Sequence, residues 1–240
     1  MSEPVQPLQA EAQTEAGDAF FELARTRRSI RVYAERLVPR ALTARLIDCA
    51  TRAPSNFNRQ PWQFVVADEP SWCKAIYELL ERGVARVGSS DKADELFHLL
   101  DHVRTWLYPL RSSPVIVLAF YKPSPERLDQ MLSSANEAAG DVTHYNPNLI
   151  TLGMAIQNLL LAAHAEGLSA CMHSGPLPFL RGVVNRLLHL PPNLQLAGVI
   201  SIGYPAEQPQ VPPHRELEKV LRFLEGPVPE AWLATPTRKE

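Results

Sequence analysis

The first candidates for chemistry are basic side chains clustered near the amino terminus. Four arginines, Arg25, Arg27, Arg28 and Arg31, fall within the seven residues RTRRSIR, together with Ser29. On a helix or its last turn Arg27 and Arg31 would share one face, where their like charges repel each other. A phosphate would compensate them, because guanidinium groups bind it with paired hydrogen bonds and a serine hydroxyl adds a donor. The alternative is a solvated face on which the arginines pair with nearby acidic side chains.

A second cluster consists of polar side chains between a helical pattern and an apolar run. The stretch RAPSNFNRQPW, residues 52–62, holds Ser55, Asn56, Asn58 and Gln60. A plain connector needs only about 2–6 residues of turn-forming type. Amide side chains donate and accept hydrogen bonds at once, which suits the edge of a uracil-like ring or a row of ligand hydroxyls. The alternative is a capped turn, in which asparagine and proline are common for structural reasons.

Other patterns narrow the chemistry by exclusion. The sequence has no GxGxxG, GxxxxGK[ST] or GxSxG motif, which argues against a Rossmann site, a P-loop and a serine hydrolase elbow. His98 and His102 have the spacing of helical metal ligands, but without HExxH and a third ligand we interpret them as solvated, so no metal is expected. Cys171 and His173 would share a strand face with no third group to orient them, which disfavours a thiol nucleophile.

These side chains require a scaffold of helices around a few strands. Helices are predicted from Asp18, after Pro39, from Pro70 to about Gly83, from Leu149 to Glu166 up to Gly167, and over 91–110, 124–134, 180–188 and the late ELEKVLRFL. Strands are predicted in QFVVAD, SPVIVLAFY and LQLAGVISIGY. Few strands flanked by helices indicate an α/β or α+β protein with a small sheet.

Composition sets the broad limits of function. With 240 residues, 45% of them hydrophobic and 21% charged, the chain can enclose a cofactor within an ordinary globular core. A net charge of −2 gives no general electrostatic case for binding nucleic acid. The cysteines, Cys49, Cys73 and Cys171, show no CxxC spacing, which is typical of a reducing compartment.

The amino-terminal segment and the longest apolar run bear on localisation. Residues 1–18 are acidic and contain no lysine or arginine, unlike a secretory or transit signal. The apolar run Leu149–Ala163 is shorter than the about 20 residues that cross a bilayer. We therefore expect a cytoplasmic protein with no membrane partner.

Four blocks of the sequence together form a more specific pattern. They are RRSIRVY (27–33), APSNFNRQPWQFVV (53–66), GMAIQNLLLAAHAEGLSACMHSG (153–175) and GYPAEQPQVPPHRELEKV (203–220). In order and spacing they resemble the nitroreductase family of flavin-dependent oxidoreductases. The resemblance implies an α+β fold, a three-layer α/β/α sandwich with a central mixed sheet, in an intertwined homodimer. We expect a single domain over 18–226, between a flexible acidic tail 1–17 and a carboxy-terminal tail 227–240.

The resemblance also implies FMN as the cofactor and assigns residues to it. Arg27 and Ser29 would bind its phosphate with Arg28 beside them, and Arg31 would face the ribityl chain and the pyrimidine edge. A segment from the second subunit would cover the flavin with Pro54, Ser55, Asn56, Asn58 and Gln60. The strip that passes flavin N5 would be Met172, His173, Ser174 and Gly175. Arg215, with His214 as a further candidate, would be a late basic residue at the phosphate.

The implied activity is a ping-pong, two-electron reduction of nitroaromatics, quinones or similar electron-poor compounds by NADH or NADPH. Alternatives are an FMN enzyme with a different reaction, such as a dehydrogenase, a dehalogenase-like or a flavin-processing enzyme, and a flavin-binding protein without turnover. The chemistry on N5 requires no catalytic side chain. His173 is either a proton source or a packed residue that acts through its backbone. Residues 84–147 would shape the substrate pocket. Some family members have a second basic residue near the flavin pyrimidine, for which Arg104 and Arg111 are candidates.

Overall fold

The described part of the chain contains most of the predicted elements. The computed structural model describes residues 14–88, 107–123, 134, 147–180, 182–224, 226 and 228. Several expectations fall outside these residues. They concern most of the flexible tail, most of the helices over 91–110 and 124–134, Arg104, and the pair His98 and His102.

Besides the helical residues 107–111 and 134, six α-helices have their bounds within the described residues. They are α1 (Glu15–Thr26), α2 (Arg40–Ala50), α3 (Pro70–Gly88), α4 (Pro147–Ala165), α5 (Leu177–Leu180) and α6 (Val183–Leu187). Helix α1 begins earlier than the predicted Asp18, because Thr14 Oγ1 accepts a hydrogen bond of 3.1 Å from Gly17 N and caps it. The stripe predicted over 180–188 breaks at Gly182, whose φ of 74° is a left-handed conformation.

Four strands form one sheet. They are β1 (Trp62–Ala67), β2 (Val115–Tyr121), β3 (Ser169–His173) and β4 (Gln195–Gly203), in the spatial order β1-β2-β4-β3. The α+β class is confirmed. The sheet is not mixed within the described residues, since each neighbouring pair is antiparallel. A parallel pair would need neighbours that run in the same direction, and here the direction alternates at every step across the sheet.

Helices cover both faces of the sheet and produce the expected three layers. On one face α2 and α4 contribute Leu46, Leu152 and Leu159 to a core with alternate strand residues. On the other face α3 and α5 pack through Leu80 and Leu180. All seven residues of β2 are buried, as expected for a central strand that is covered on both faces.

Helix α4 is the long apolar helix of this core. At 19 residues with a mean hydropathy of 1.2, it could cross a membrane by length and composition alone. It is longer than the apolar run Leu149–Ala163, from whose length we expected no membrane-spanning helix. Its buried face, which includes Leu152, Leu159 and Ala163, packs on α2 and the sheet, as in the core helix of a globular fold. Leu149, Ile150 and Met154 are exposed on this helix, so it is not buried all round.

Residues 210–240 form a compact unit separate from residues 1–209. The late helix predicted in ELEKVLRFL is reduced to one 3-10 turn, Leu217–Lys219, because so short a segment gains little from helix propagation. The domain limits 18 and 226 stay a prediction.

Candidate functional site

The segment that follows α1 is extended and bound along the end of β4. Ala34 N donates a hydrogen bond of 2.9 Å to the Tyr204 carbonyl. The Glu207 carboxylate accepts hydrogen bonds from Arg31 N (2.6 Å) and Val32 N (3.0 Å). The segment of residues 27–34, called the arginine segment below, is therefore fixed to the sheet by its backbone, and its arginine side chains are free of that role.

The arginines do not share a helical face, because α1 ends at Thr26. Arg28 turns back to this end, where its Nη1 donates to the carbonyls of Arg25 (2.6 Å) and Arg27 (2.7 Å). Arg27 Nη1 is buried and has no hydrogen-bond partner among the described residues. A buried donor without a partner is costly, so an anion at this point would be stabilising. Arg28 Nε is also buried without a partner among the described residues, but Arg28 Nη1 is held at the end of α1, so Arg27 is the better candidate to meet a ligand.

The arginine segment converges on strand β3. Burial raises the pKa of the Cys171 thiol, and this rise is opposed by the charge of Arg31, by hydrogen bonds from Ser29 and Arg31, and by the charge of Arg27. Ser29 and Arg31 therefore lie within hydrogen-bonding reach of Cys171, one residue before Met172, and Arg27 is near enough for its charge to act on the thiol. The two blocks that the sequence places 140 positions apart, at Arg31 and Cys171, meet in one place.

A cavity of about 200 Å³ lies at this junction. It is lined by Arg31 and the strip Met172, His173, Ser174 and Gly175. Gly198 on β4 leaves room for the strip, since a Cβ there would stand 3.0 Å from both Sδ and Cε of Met172. Pockets that hold a whole ligand usually measure about 300–1,000 Å³, so the described part of one chain supplies only a portion of a site.

His164, at the end of α4, lies beside the same arginines. Thr26 Oγ1 donates to the Glu22 carbonyl (2.7 Å), so at 2.9 Å it accepts a hydrogen bond from His164 Nε2–H. Burial, followed by the charges of Arg27 and Arg28, lowers the pKa of His164 below its ordinary value. This shift shows that the site carries positive potential, as an anion-binding site requires.

The polar stretch at 54–60 forms an exposed loop in a strained conformation. Phe57, Asn58 and Gln60 have φ values of 52°, 54° and 46°, a backbone conformation that residues other than glycine rarely adopt. Ser55 Oγ accepts a hydrogen bond from Gln60 N (3.1 Å), and Gln60 Nε2 donates to Asn58 Oδ1 (3.1 Å). None of these residues lines the cavity in the described part of the same chain. Pro54 and Asn56 are exposed as well, and the contact of this loop with a second subunit stays a prediction.

Three further expectations concern isolated residues. His214 and Arg215 lie in the unit of residues 210–240, and their role at the phosphate stays a prediction. Arg111 is exposed and does not line the cavity. Among the described residues no group of three His, Cys, Asp or Glu side chains could hold a metal ion.

Sequence reasoning missed two buried partners of the strip. Ser201 Oγ lies 2.6 Å from the Tyr33 hydroxyl and 2.8 Å from His173 Nε2, and all three residues are buried. The sequence marks both residues, Ser201 and Tyr33. Ser201 is the one hydroxyl residue in the apolar strand QLAGVISIG, and Tyr33 closes the motif RRSIRVY.

Comparison with known proteins decides the family. The model described as Nitroreductase family matches residues 24–204. The chain belongs to the nitroreductase family. The matched span contains the arginine segment, the polar loop and the strip, so the resemblance seen in the sequence is confirmed for these blocks.

Relatives within the nitroreductase family differ in what their names describe. The iodotyrosine deiodinase of Haliscomenobacter hydrossis is 26% identical over 205 residues, which is 83% of this chain and 85% of that protein. The NADH dehydrogenase of Thermus thermophilus is 29% identical over 203 residues, which is 81% of this chain and 91% of that protein. A nitroreductase-type structure from Desulfovibrio desulfuricans, in complex with FMN, matches with a TM-score of 0.58 and 26% identity, covering 88% of this chain and 98% of that one.

The residues at the site fit FMN. Arg27 Nη1, which has no partner among the described residues, would find an acceptor in a phosphate. Ser29 and Arg31 lie at Cys171, on whose thiol the charge of Arg27 also acts. The strip and Arg31 line one cavity, which is the place that the described residues offer for the ring. The protein is a nitroreductase-family enzyme, and the unpartnered donor of Arg27 at this site is compatible with FMN.

Proposed function

We propose that this protein is an FMN-dependent oxidoreductase. It takes electrons from NADH or NADPH and reduces a small electron-poor compound, such as a nitroaromatic or a quinone, in two-electron steps. The observation that carries this proposal is the meeting of Arg27, Ser29 and Arg31 with β3, beside a cavity lined by residues 172–175.

The side chains of this chain bind and orient, while the cofactor supplies the redox chemistry. When bound, FMN supplies a carrier that accepts and releases hydride at one ring atom. Arg27 and Ser29 hold the phosphate through charge-assisted hydrogen bonds. Arg31, at the cavity, places a cation where the reduced cofactor is negatively charged and so favours reduction. The strip at 172–175 would line one side of the cofactor site, and nucleotide and substrate would take turns at its open side.

The proposed enzyme is a cytoplasmic homodimer with FMN at the subunit interface. The small cavity in one chain and the exposed polar loop at 54–60 both support a site completed by a second subunit. The free thiols of Cys49, Cys73 and Cys171 fit a reducing compartment. The NADH dehydrogenase of T. thermophilus among the relatives supports a nicotinamide nucleotide as electron donor.

Rapid mixing of the purified holoprotein with each nucleotide tests the electron donor. We expect NADH or NADPH to bleach the flavin absorbance on the timescale of turnover, and 4-nitrobenzoate or menadione to restore it. Bleaching by dithionite but by neither nucleotide would contradict the proposal. A colourless protein that does not bind added FMN would contradict the cofactor assignment itself.

A second candidate is reductive dehalogenation. It is favoured by the match to the iodotyrosine deiodinase of H. hydrossis, which extends over 85% of that protein. The same dithionite-reduced protein can be mixed with iodotyrosine and, in parallel, with tyrosine as a matched control. Iodide release with flavin reoxidation would support the second candidate, whereas reoxidation only by nitroaromatics or quinones would support the first.

A further inference from the structure

A buried chain of hydrogen bonds joins the arginine segment to the strip. It runs from His173 Nε2 to Ser201 Oγ (2.8 Å), from Ser201 Oγ to the Tyr33 hydroxyl (2.6 Å), and on to the Ile30 carbonyl (2.9 Å). Tyr33, His173 and Ser201 are 7%, 5% and 0% exposed, so the chain is shielded from water. Polar groups at this depth must satisfy one another.

The acceptors in this chain favour one direction for its protons. The Tyr33 hydroxyl has one proton, and its partners besides Ser201 Oγ are the carbonyls of Ile30 and, at 3.3 Å, Ser201. Two carbonyls and one hydroxyl oxygen compete for the Tyr33 proton, and when it goes to a carbonyl, Ser201 donates its own proton to Tyr33. Ser201 Oγ must then accept from His173 Nε2. The proton on His173 Nε2 is thereby committed to the interior of the sheet.

The packing around Tyr33 keeps its hydroxyl at this position. A Cβ on Gly203 would stand 2.7 Å from Tyr33 Cδ1, so the ring lies directly on the β4 backbone. Tyr33 also forms an isolated bridge with Pro205, which fixes its backbone. The hydroxyl is thus a rigid link between β4 and the segment that carries Arg27 and Arg31.

We propose that Tyr33 and Ser201 are positioning residues that lock His173 with its Nε2 proton turned into the sheet and align the phosphate-binding segment with the strip at 172–175. His173 then orients the strip and is not the proton source through Nε2. This inference rests on the proposed function for its effect on FMN, but the locked tautomer is a property of the protein without cofactor.

The tautomer is tested on the apoprotein by NMR of imidazole-¹⁵N-labelled protein at about pH 8, where neutral histidine predominates. The His173 signals are those lost in His173→Gln. We expect wild type to show the Nε2–H tautomer of His173 and Ser201→Ala to lose that preference. An Nδ1–H tautomer in wild type, or no change in Ser201→Ala, would overturn the proposal whether or not FMN binds.

The positioning effect is tested by FMN titration of reconstituted protein. Tyr33→Phe removes the hydroxyl and keeps the ring, and we expect it to weaken FMN binding about three- to tenfold, the scale of one buried hydrogen bond. Tyr77→Phe is the matched control, since it removes a tyrosine hydroxyl that bonds Glu81 on α3. Equal affinity in Tyr33→Phe and wild type would overturn the coupling, whereas failure of wild type to bind FMN would overturn the proposed function instead.

The role of His173 is tested by rescue. Glutamine can present an N–H to Ser201 near the position of His173 Nε2, whereas leucine cannot. We expect His173→Gln to recover most of the FMN affinity lost in His173→Leu, and to retain the shape of the wild-type pH profile for flavin reduction. A pH profile that loses a limb in His173→Gln would show that His173 titrates during turnover, and would overturn its assignment as a positioning residue.

Discussion

Arg27 and Arg28 are neighbours of the same residue type with different structural roles. Each guanidinium keeps one buried donor without a partner among the described residues, Arg27 Nη1 and Arg28 Nε, but Arg28 Nη1 also bonds the carbonyls at the end of α1. We expect Arg27→Ala to weaken FMN binding about tenfold or more, the scale of a charge-assisted hydrogen bond, without lowering the Tm of the apoprotein. The control is Arg25→Ala, because Arg25 is exposed and paired with Glu22. Similar losses of affinity in both variants would contradict this assignment.

The sequence predicts the cluster but not this division. Four arginines in seven residues are evident from charge density alone, and the resemblance assigns Arg27, Ser29 and Arg31 to the cofactor. Which guanidinium folds back depends on where α1 ends, and that end is set by tertiary contacts. Glu207 was missed for a related reason, since its partners Arg31 and Val32 lie 176 and 175 positions away in the chain. Ser201 joins His173, 28 positions away, to Tyr33, 168 positions away.

His164 gives a prediction for stability against pH. Its pKa is lowered by burial and by the charges of Arg27 and Arg28, so the unfolded chain binds a proton more readily than the folded one. Stability is therefore lost as the pH falls below about 6.5, where unfolded histidine begins to protonate. We expect the Tm of the apoprotein to drop less between about pH 7 and pH 5.5 in His164→Gln than in wild type. His189→Gln, at an exposed position, should follow wild type. A wild-type slope in His164→Gln would exclude this histidine as the cause.

At the scale of elements, the loop at 54–60 combines strain with exposed polar groups. Such a conformation is expected at ligand sites, where geometry matters more than local stability. Replacing Gln60 by glycine or by alanine separates the backbone from the side chain, since both variants lose the bond to Asn58. With φ at 46°, we expect Gln60→Gly to be about 1 kcal/mol more stable than Gln60→Ala in urea unfolding. Equal stability would mean that the loop relaxes to an ordinary conformation.

Strong periodic patterns predicted the elements well, and boundaries less so. Continuous hydrophobic runs predicted the strands β2 and β4 and the core helix α4, because such runs are stable only when they are buried. The single helix predicted over 180–188 was wrong, because Gly182 at positive φ interrupts an apolar pattern that continues on both sides of it. The antiparallel sheet order could not be predicted, since strand pairing depends on contacts that are distant in sequence.

At the scale of the whole molecule, the proposed function assigns two separate parts of each chain to the cofactor site. The cavity beside Arg31 is small, and the polar loop at 54–60 lines no part of it within the described residues of the same chain. A second copy can join these parts by symmetry, because each subunit gives a loop and receives one. The proposed dimer is in this sense a requirement of the cofactor site, and dimerisation and FMN affinity should change together.

The exposed face of α4 provides the means to test that link. Ile150 is 57% exposed on this helix, next to exposed Leu149, and the proposed dimer would bury such an apolar face. We expect Ile150→Glu to reduce the mass measured by light scattering from twice 26.8 kDa towards 26.8 kDa, and to weaken FMN binding at least about tenfold in the same samples. Leu187→Glu is the matched control, since Leu187 is 58% exposed on α6. A monomeric Ile150→Glu protein that binds FMN as tightly as wild type would show that one chain suffices for the site.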